Sequence, residues 1–162
     1  MQKQPNSQMC FVCGLENPIG LKARFYEDDD GHVTVTWTPG EEHQGYPGQF
    51  HGGIAAALLD EALGRTVVNR DLWIVTAKME IRYRNPIPVG EPLTVVAEPT
   101  RISKRIVEAR GELRLSDGRV GAEADAVYVK LPEERKEAMA RALAYWKVVP
   151  DDENVNATPD EK

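Results

Sequence analysis

Polar and apolar positions change period twice along this chain. In ARFYEDDDGHVTVTW, from Ala23 to Trp37, the apolar Val33, Val35 and Trp37 alternate with threonines after an acidic turn that ends in glycine, which predicts a β-hairpin. A stretch of turn formers follows, TPGEEHQGYPGQ, and then HGGIAAALLDEALG, whose apolar residues would cover every side of a helix from about Gly53 to Val68. Past that helix the period drops to two. WIVTAKMEIRYR sets Val75, Ala77, Met79, Ile81 and Tyr83 on one face and Thr76, Lys78, Glu80, Arg82 and Arg84 on the other, as in a half-buried strand. NPIPVGEP reads as a turn, EPLTVVAEPT as a second strand, and RIVEARGELRL as a third with Val107, Ala109, Gly111, Leu113 and Leu115 in register. SDGR is a tight hairpin turn before a fourth strand, RVGAEADAVYVK.

A sheet with one apolar face must cover it, and the 53–68 helix is the element long and apolar enough to do so. The predicted fold is α+β: a curved antiparallel β-sheet wrapped around one long central helix. After Pro132, EERKEAMARALAYWKVV has acids in its first turn and Met139, Ala142, Leu143 and Trp146 at helical spacing, which predicts a C-terminal amphipathic helix. The expected organisation is one domain over 1–131, that helix over 132–149, and an acidic, disordered tail over 150–162.

Composition narrows the function. With 162 residues, 41% of them hydrophobic, the chain suits one core. A formal net charge of −6 gives no electrostatic support for nucleic acid or an anionic membrane as partner. No run approaches the roughly 18 apolar residues of a membrane span, and MQKQPNSQMC lacks an apolar signal core, so the expected location is the cytoplasm. Cys10 and Cys13 form one CFVC motif, readable as half a tetrahedral zinc site, as a redox pair, or as reduced thiols that dock the N-terminal segment. The third reading weighs most, because small buried cysteines are common and the other zinc ligands would have to come from His32, His43, His51 or a second subunit. His32 and His43 otherwise read as surface or loop residues.

Two acids interrupt the apolar helix. Glu61 has Arg65 one turn later, the favourable order for an ion pair. Asp60 has no such partner: Ala56, Ala57 and Gly64 flank it along the helix, leaving open volume beside a carboxylate that is costly to bury unpaired. A catalytic or substrate-contacting role for Asp60 outweighs that of a hydrogen-bonded buried acid. Gly52 and Gly53 leave backbone N–H groups approachable at the helix start, where partial positive charge can hold an oxyanion. Eight residues separate Gly52 from Asp60, about 12 Å along a helix, too far for both to touch one carbonyl. Two such helices packed antiparallel across a twofold axis would bring the glycine of one subunit to the aspartate of its mate.

His51, Gly52, Gly53 and Asp60, with the helix-then-strands order, resemble the hotdog-fold acyl-CoA thioesterases of the PaaI and 4-hydroxybenzoyl-CoA thioesterase-like superfamily. CFVCGLENPIGL resembles the N-terminal stretch of this group, EHQGYPGQFHGG its pre-helix loop, and KMEIRYRNPIPVG its strand and turn after the helix. The resemblance runs from about Cys10 to Lys130. It implies hydrolysis of an acyl-CoA thioester by a homodimer, with a dimer of dimers open. It implies Asp60 as general base or nucleophile, the Gly52 N–H polarising the carbonyl, His51 orienting loop or carbonyl, and Thr76 positioning water or the acid. No metal or bound cofactor is implied, since CoA belongs to the substrate. Strand alternation puts Thr76 on the polar face, so its reach to the site depends on a local bulge or twist.

Substrate contacts are expected from Gly53, Tyr46, Phe50, Ile54, Leu58 and Gln49, with Lys78 and Arg82 as candidates for the CoA phosphates beside Arg84, Lys104 and Arg105. One position departs from the pattern: Gly45 stands where several members carry asparagine, with Gln44 or Gln49 as available substitutes. That keeps a non-catalytic acyl-CoA sensor or storage protein as the alternative. A hydratase or dehydratase and a metal-dependent interaction module built on CFVC weigh less.

Overall fold

The computed structural model describes residues 1–151 of the chain. In chain order its elements are β1 (Gln2–Lys3), β2 (Asn6–Ser7), β3 (Tyr26–Glu27), β4 (Val33–Trp37), α1 (Gly52–Gly64), β5 (Ile74–Tyr83), β6 (Leu93–Ile102), β7 (Ile106–Arg114), β8 (Val120–Lys130), α2 (Glu133–Ala142) and β9 (Trp146–Lys147). Seven strands form one antiparallel sheet in the order β1-β3-β4-β6-β7-β8-β5, and β2 pairs with β9 in a second sheet. The apolar face of the large sheet packs on α1, which touches β4 through β8.

The predicted hairpin is β3–β4, turning at Gly31, whose φ of +86° suits glycine. The SDGR turn closes at Gly118, also at φ +86°. Along β7 the inward residues Val107, Ala109 and Leu113 are buried, as the alternation predicts, and Leu115 is buried just past its end. Gly111 belongs to the same row because a Cβ there would meet the Val96 carbonyl at 2.9 Å and Leu63 of α1 at 3.3 Å; its absence lets the helix seat on the sheet.

Three expectations need correction. The central helix is α-helical only to Gly64 and tightens into a 3₁₀ segment, Arg65–Arg70, that ends at Asp71 in the left-handed region (φ 54°). The inner face of β5 changes midway: its pairing with β8 shifts between Thr76 and Lys78, so the extra residue Ala77 reverses the alternation. Met79 and Ile81 pack on the core as expected, but Val75 is 42% exposed and Ala77 is exposed too, while Ile74 packs inward. The C-terminal helix stops at Ala142, and instead of continuing to 149 the chain extends so that Trp146 and Lys147 pair with Ser7 and Asn6. Of the expected acidic tail, Asp151 is bound by Lys3, Arg24 and Tyr26, and residues 152–162 lie outside the described residues. No helix among the described residues is long and apolar enough to cross a membrane.

Candidate active site

Asp60 lies on the last two turns of α1, half-buried, facing the bulged end of β5. The bulge does what the alternation alone forbids: it turns Thr76 toward the helix, and Thr76 Oγ1 donates to Asp60 Oδ1 at 2.8 Å. From β8 the Tyr128 hydroxyl donates to the same oxygen at 3.1 Å and to the Asp60 main-chain carbonyl at 3.0 Å. Burial, and then the neighbouring Asp60 charge, push the Tyr128 phenol far above its usual range, so it remains a proton donor. Both hydroxyls converge on Oδ1, and among the described residues no donor reaches Oδ2. One oxygen anchors the carboxylate and the other is free to take a proton or attack.

The volume that the small flanking residues leave beside Asp60 is partly filled by the Tyr128 ring, which passes 3.7 Å from where a Gly64 Cβ would stand. The rest opens into a cavity of about 500 Å³. Asp60, Glu61, Thr76 and Tyr128 line one side of it; Val68, Leu72, Trp73, Leu131, Met139 and Leu143 supply apolar walls. Cys10 and Cys13 line it from the N-terminal segment and Trp146 from β9, so both chain ends build it.

Glu61 makes the expected ion pair, accepting from Arg65 Nε at 2.8 Å. Arg65 is buried, its side chain 3% exposed. It also donates to the Pro5 carbonyl at 2.9 Å and lies over the rings of Phe25 (4.4 Å) and Trp146 (5.1 Å). The other Glu61 oxygen, Oε2, is 3.7 Å from Cys10 Sγ. The Cys13 thiol hydrogen-bonds to Cys10, drawing the Cys10 thiol down to about 7 and pushing its own up.

At the other end of α1, His51 caps the helix: its Nδ1 accepts from the Gly53 N–H at 2.9 Å and its carbonyl from Ile54 and Ala55, both at 3.0 Å. With Nδ1 accepting, the ring proton sits on Nε2. Gly52 opens the helix, so its N–H has no intrahelical acceptor. The Tyr83 hydroxyl donates to the Gly52 carbonyl at 2.7 Å, tying the helix start to β5.

The remaining predicted contacts divide. Gly53 and Tyr46 (84% exposed) sit at the open helix start and loop. Ile54 is half-buried against the core. Phe50, packed on Trp37 with ring centroids 5.6 Å apart, and Leu58 are core residues, 6% and 0% exposed. Lys78 and Arg82 lie on the outer face of the sheet, where Arg82 pairs with Glu80, and neither lines the cavity. Gln44 accepts from the Gly48 N–H at 2.9 Å, whereas Gln49 Oε1 is buried with no partner among the described residues. Gly45 lies beside His51, with 3.4 Å between the position of a Cβ and His51 Cδ2. His43 accepts from Gly40 N–H and packs edge-on to Trp37, and His32 sits between Asp28 and Glu98, so neither histidine approaches the cysteines.

Residues 47–122 match the family model of the thioesterase superfamily. Acyl-coenzyme A thioesterase THEM4 of Xenopus laevis is 30% identical over 108 residues, 66% of this chain and 49% of the relative. THEM4 of Rattus norvegicus is 26% identical over 132 residues, 80% of this chain and 57% of the relative. The chain thus spans about half the length of the curated relatives it matches. A crystal structure of a thioesterase superfamily protein superimposes with a TM-score of 0.71 at 32% identity, covering 75% of this chain and 63% of that one. The PaaI protein of E. coli has the same fold, with a TM-score of 0.65 at 20% identity over 69% of this chain and 81% of its own. The matched stretch holds the central helix, the bulged strand and both Asp60 and Thr76, so the part of the chain that builds the site is similar to the thioesterase superfamily and shares its hotdog fold.

Proposed function

We propose that this protein hydrolyses acyl-CoA thioesters, with each site shared between two subunits. The observation that carries the reading is the Asp60 carboxylate, anchored through Oδ1 by Thr76 and Tyr128 and left with a free Oδ2 at the wall of an apolar cavity. Oδ2 takes a proton from water as the water oxygen bonds to the thioester carbon; the carbonyl oxygen becomes an oxyanion. Collapse breaks the C–S bond, and the proton held by Asp60 passes to the leaving sulfur, giving free acid and CoA thiol. Direct attack by Oδ2, forming a mixed anhydride that water then opens, is the nucleophilic variant of the same scheme.

The oxyanion needs a donor, and the Gly52 N–H is the candidate. It lies about 12 Å from Asp60 along the helix, so the donor comes from a second subunit. The free edge of β5, whose outer side pairs with nothing among the described residues, supports a dimer joined there. Two further facts favour the assignment. THEM4 relatives are named as acyl-CoA thioesterases. A hypothetical thioesterase of Streptococcus pneumoniae with this fold has been solved with coenzyme A, and with a threonine and an aspartate each changed to alanine, sixteen positions apart, the spacing of Asp60 and Thr76.

The test is release of CoA thiol across aryl-, short- and long-chain acyl-CoAs, corrected for the two protein thiols. Asp60→Asn keeps the shape and removes the base, and is expected to lower turnover at least about a hundredfold without unfolding the protein. A variant that keeps most of the activity sinks the role of Asp60. Tight binding of CoA esters without release would instead make the protein the non-catalytic sensor.

A further inference from the structure

The hydrolytic scheme leaves Cys10 and Cys13 unused, yet the fold prepares them with some care. The Gly14 N–H donates to the Cys10 carbonyl at 2.8 Å and the Cys13 N–H is directed at Cys10 Sγ, 3.5 Å away. A Cβ at Gly14 would stand 2.3 Å from that carbonyl oxygen, so the CxxCG turn closes only with glycine. The tight turn brings both sulfurs together, and α1 supplies a third group, Glu61, nearly fifty residues further along. One ligand atom from each of Cys10, Cys13 and Glu61 lies within 4.8 Å of the other two.

One separation, now spanned by a hydrogen bond from the Cys10 thiol to Glu61, matches an edge of a zinc tetrahedron, and the other two lie within 4.8 Å. Zinc bonds of 2.3 Å to sulfur and about 2.1 Å to oxygen set the edges of a tetrahedron at about 3.6 Å for S–O and about 3.8 Å for S–S. The observed Cys10 Sγ to Glu61 Oε2 distance, 3.7 Å, is already such an edge. Arg65 holds the other oxygen, Oε1, at 2.8 Å, which aims Oε2 alone at the sulfurs in the way an outer partner orients a ligand. The charges also close: two thiolates and one carboxylate are matched by the two charges of zinc and the one of Arg65, so the partly buried cluster is neutral with metal bound. Paired thiolates favour zinc over magnesium or calcium.

We propose that Cys10, Cys13 and Glu61 bind a zinc ion through three protein ligands, with the fourth position open to the cavity that Asp60 and Tyr128 line. Such a site pins the N-terminal segment to α1 next to Asp60 and offers a Lewis acid to whatever enters the cavity. It does not depend on the thioesterase reading.

The probe is cobalt(II), added under anaerobic conditions to the full chain after reduction and chelator stripping. One equivalent is expected to bind, with thiolate-to-cobalt charge-transfer absorption in the near ultraviolet and intense tetrahedral d–d bands in the visible, both removed by zinc. Cys10→Ser is expected to abolish most of the charge transfer; Glu61→Gln keeps it but weakens affinity at least about tenfold. Should Cys10→Ser fold poorly, the wild-type protein still decides: zinc must protect the half-buried Cys10 from alkylation. Cobalt binding that survives Cys10→Ser overturns the proposal. So does a reduced protein whose two thiols alkylate equally fast with and without zinc, or one isolated with a Cys10–Cys13 disulfide that takes no cobalt once reduced.

Discussion

Gly52→Pro separates the chemistry of one N–H from the architecture around it. Gly52 is the first helical residue after the His51 cap, the position where proline is best tolerated because its missing N–H had no intrahelical partner. His51, at φ −66° and ψ 126°, already has the extended backbone that a residue before proline adopts. A Cβ on residue 52 would meet the Tyr83 ring at 3.4 Å, the near edge of ordinary contact. Restricting the unfolded chain contributes roughly 0.4–1 kcal/mol of stability, which offsets some crowding of Tyr83. Net stability should therefore change by no more than about 1 kcal/mol, a shift of about 2–4 °C in Tm. If this N–H polarises the thioester carbonyl, its loss costs about 10²–10³ in kcat.

Subunit mixing then tests the shared site. When Gly52→Pro and Asp60→Asn chains are dissociated and re-associated in equal amounts, half the dimers are mixed, and each mixed dimer holds one site with both groups intact. About a quarter of wild-type activity should return. Were Gly52 and Asp60 to act within one chain, no mixed dimer would have a working site, and an inactive mixture would refute the shared geometry. Wild-type turnover by Gly52→Pro alone would refute the role of the N–H.

Tyr128→Phe keeps the ring against Gly64 and removes a donor to Asp60 Oδ1, so we expect about 1 kcal/mol of lost stability in denaturant unfolding. As a positioning residue it should lower kcat about tenfold with KM nearly constant, and a change confined to KM would contradict that role. Arg65→Met strands Glu61 and the Pro5 carbonyl in a buried setting and is expected to cost about 3 kcal/mol. Calorimetry should read that as a fall of roughly 6–12 °C, and an unchanged Tm would mean the pair contributes nothing net. His32→Ala probes pH: hydrogen bonding to Asp28 foremost, then to Glu98, raises the His32 pKa above 6.5, so its contribution is full below 6.5 and lost as pH climbs through the folded value. Asp28, lowered chiefly by the His32 backbone N–H, and Glu98, lowered chiefly by Arg110, contribute above their ordinary 3.8 and 4.5 and lose it in acid. The Tm difference between wild type and His32→Ala should thus be widest between pH 4.5 and 6.5 and close toward alkaline pH; one that grows with pH would contradict the assignment.

The large sheet and its helix were legible because burial imposes a period: the β7 row Val107, Ala109, Gly111, Leu113 follows strict alternation, and the bend at SDGR is local chemistry. Asp60 stood out because a carboxylate in an apolar helix needs a reason. Its partner Tyr128 did not, since a tyrosine in a strand reads as packing and 68 residues separate the two. The bulge at Ala77 leaves no mark in an apolar/polar pattern, yet it decides which face Thr76 joins. The burial of Phe50 and Leu58 was hidden for the opposite reason: apolar side chains near a site serve the core as readily as a ligand, and the sequence does not name their packing partners, Trp37 for one. The helix after Pro132 was read too long because Leu143 and Trp146 keep a helical spacing while reaching the cavity from the extended cap of α2 and from β9.

The small β2–β9 sheet has a consequence for how the molecule opens. Asn6 and Ser7 meet Lys147 and Trp146 in two residue pairs only, closing a loop that spans nearly the whole described chain. Such closure carries a large entropic cost, repaid by these two pairs and by the contacts of Asp151 with Lys3, Arg24 and Tyr26. The clasp pairs with no strand of the seven-stranded sheet, so that sheet can stay paired when the clasp opens. Because Cys10, Cys13 and Trp146 line the cavity, each excursion of the clasp widens the cavity without disturbing Asp60, Thr76 or Tyr128. Amide exchange near residues 6 and 147 would run far ahead of exchange in β7, and the two ends of the chain would set the rate at which bulky guests come and go.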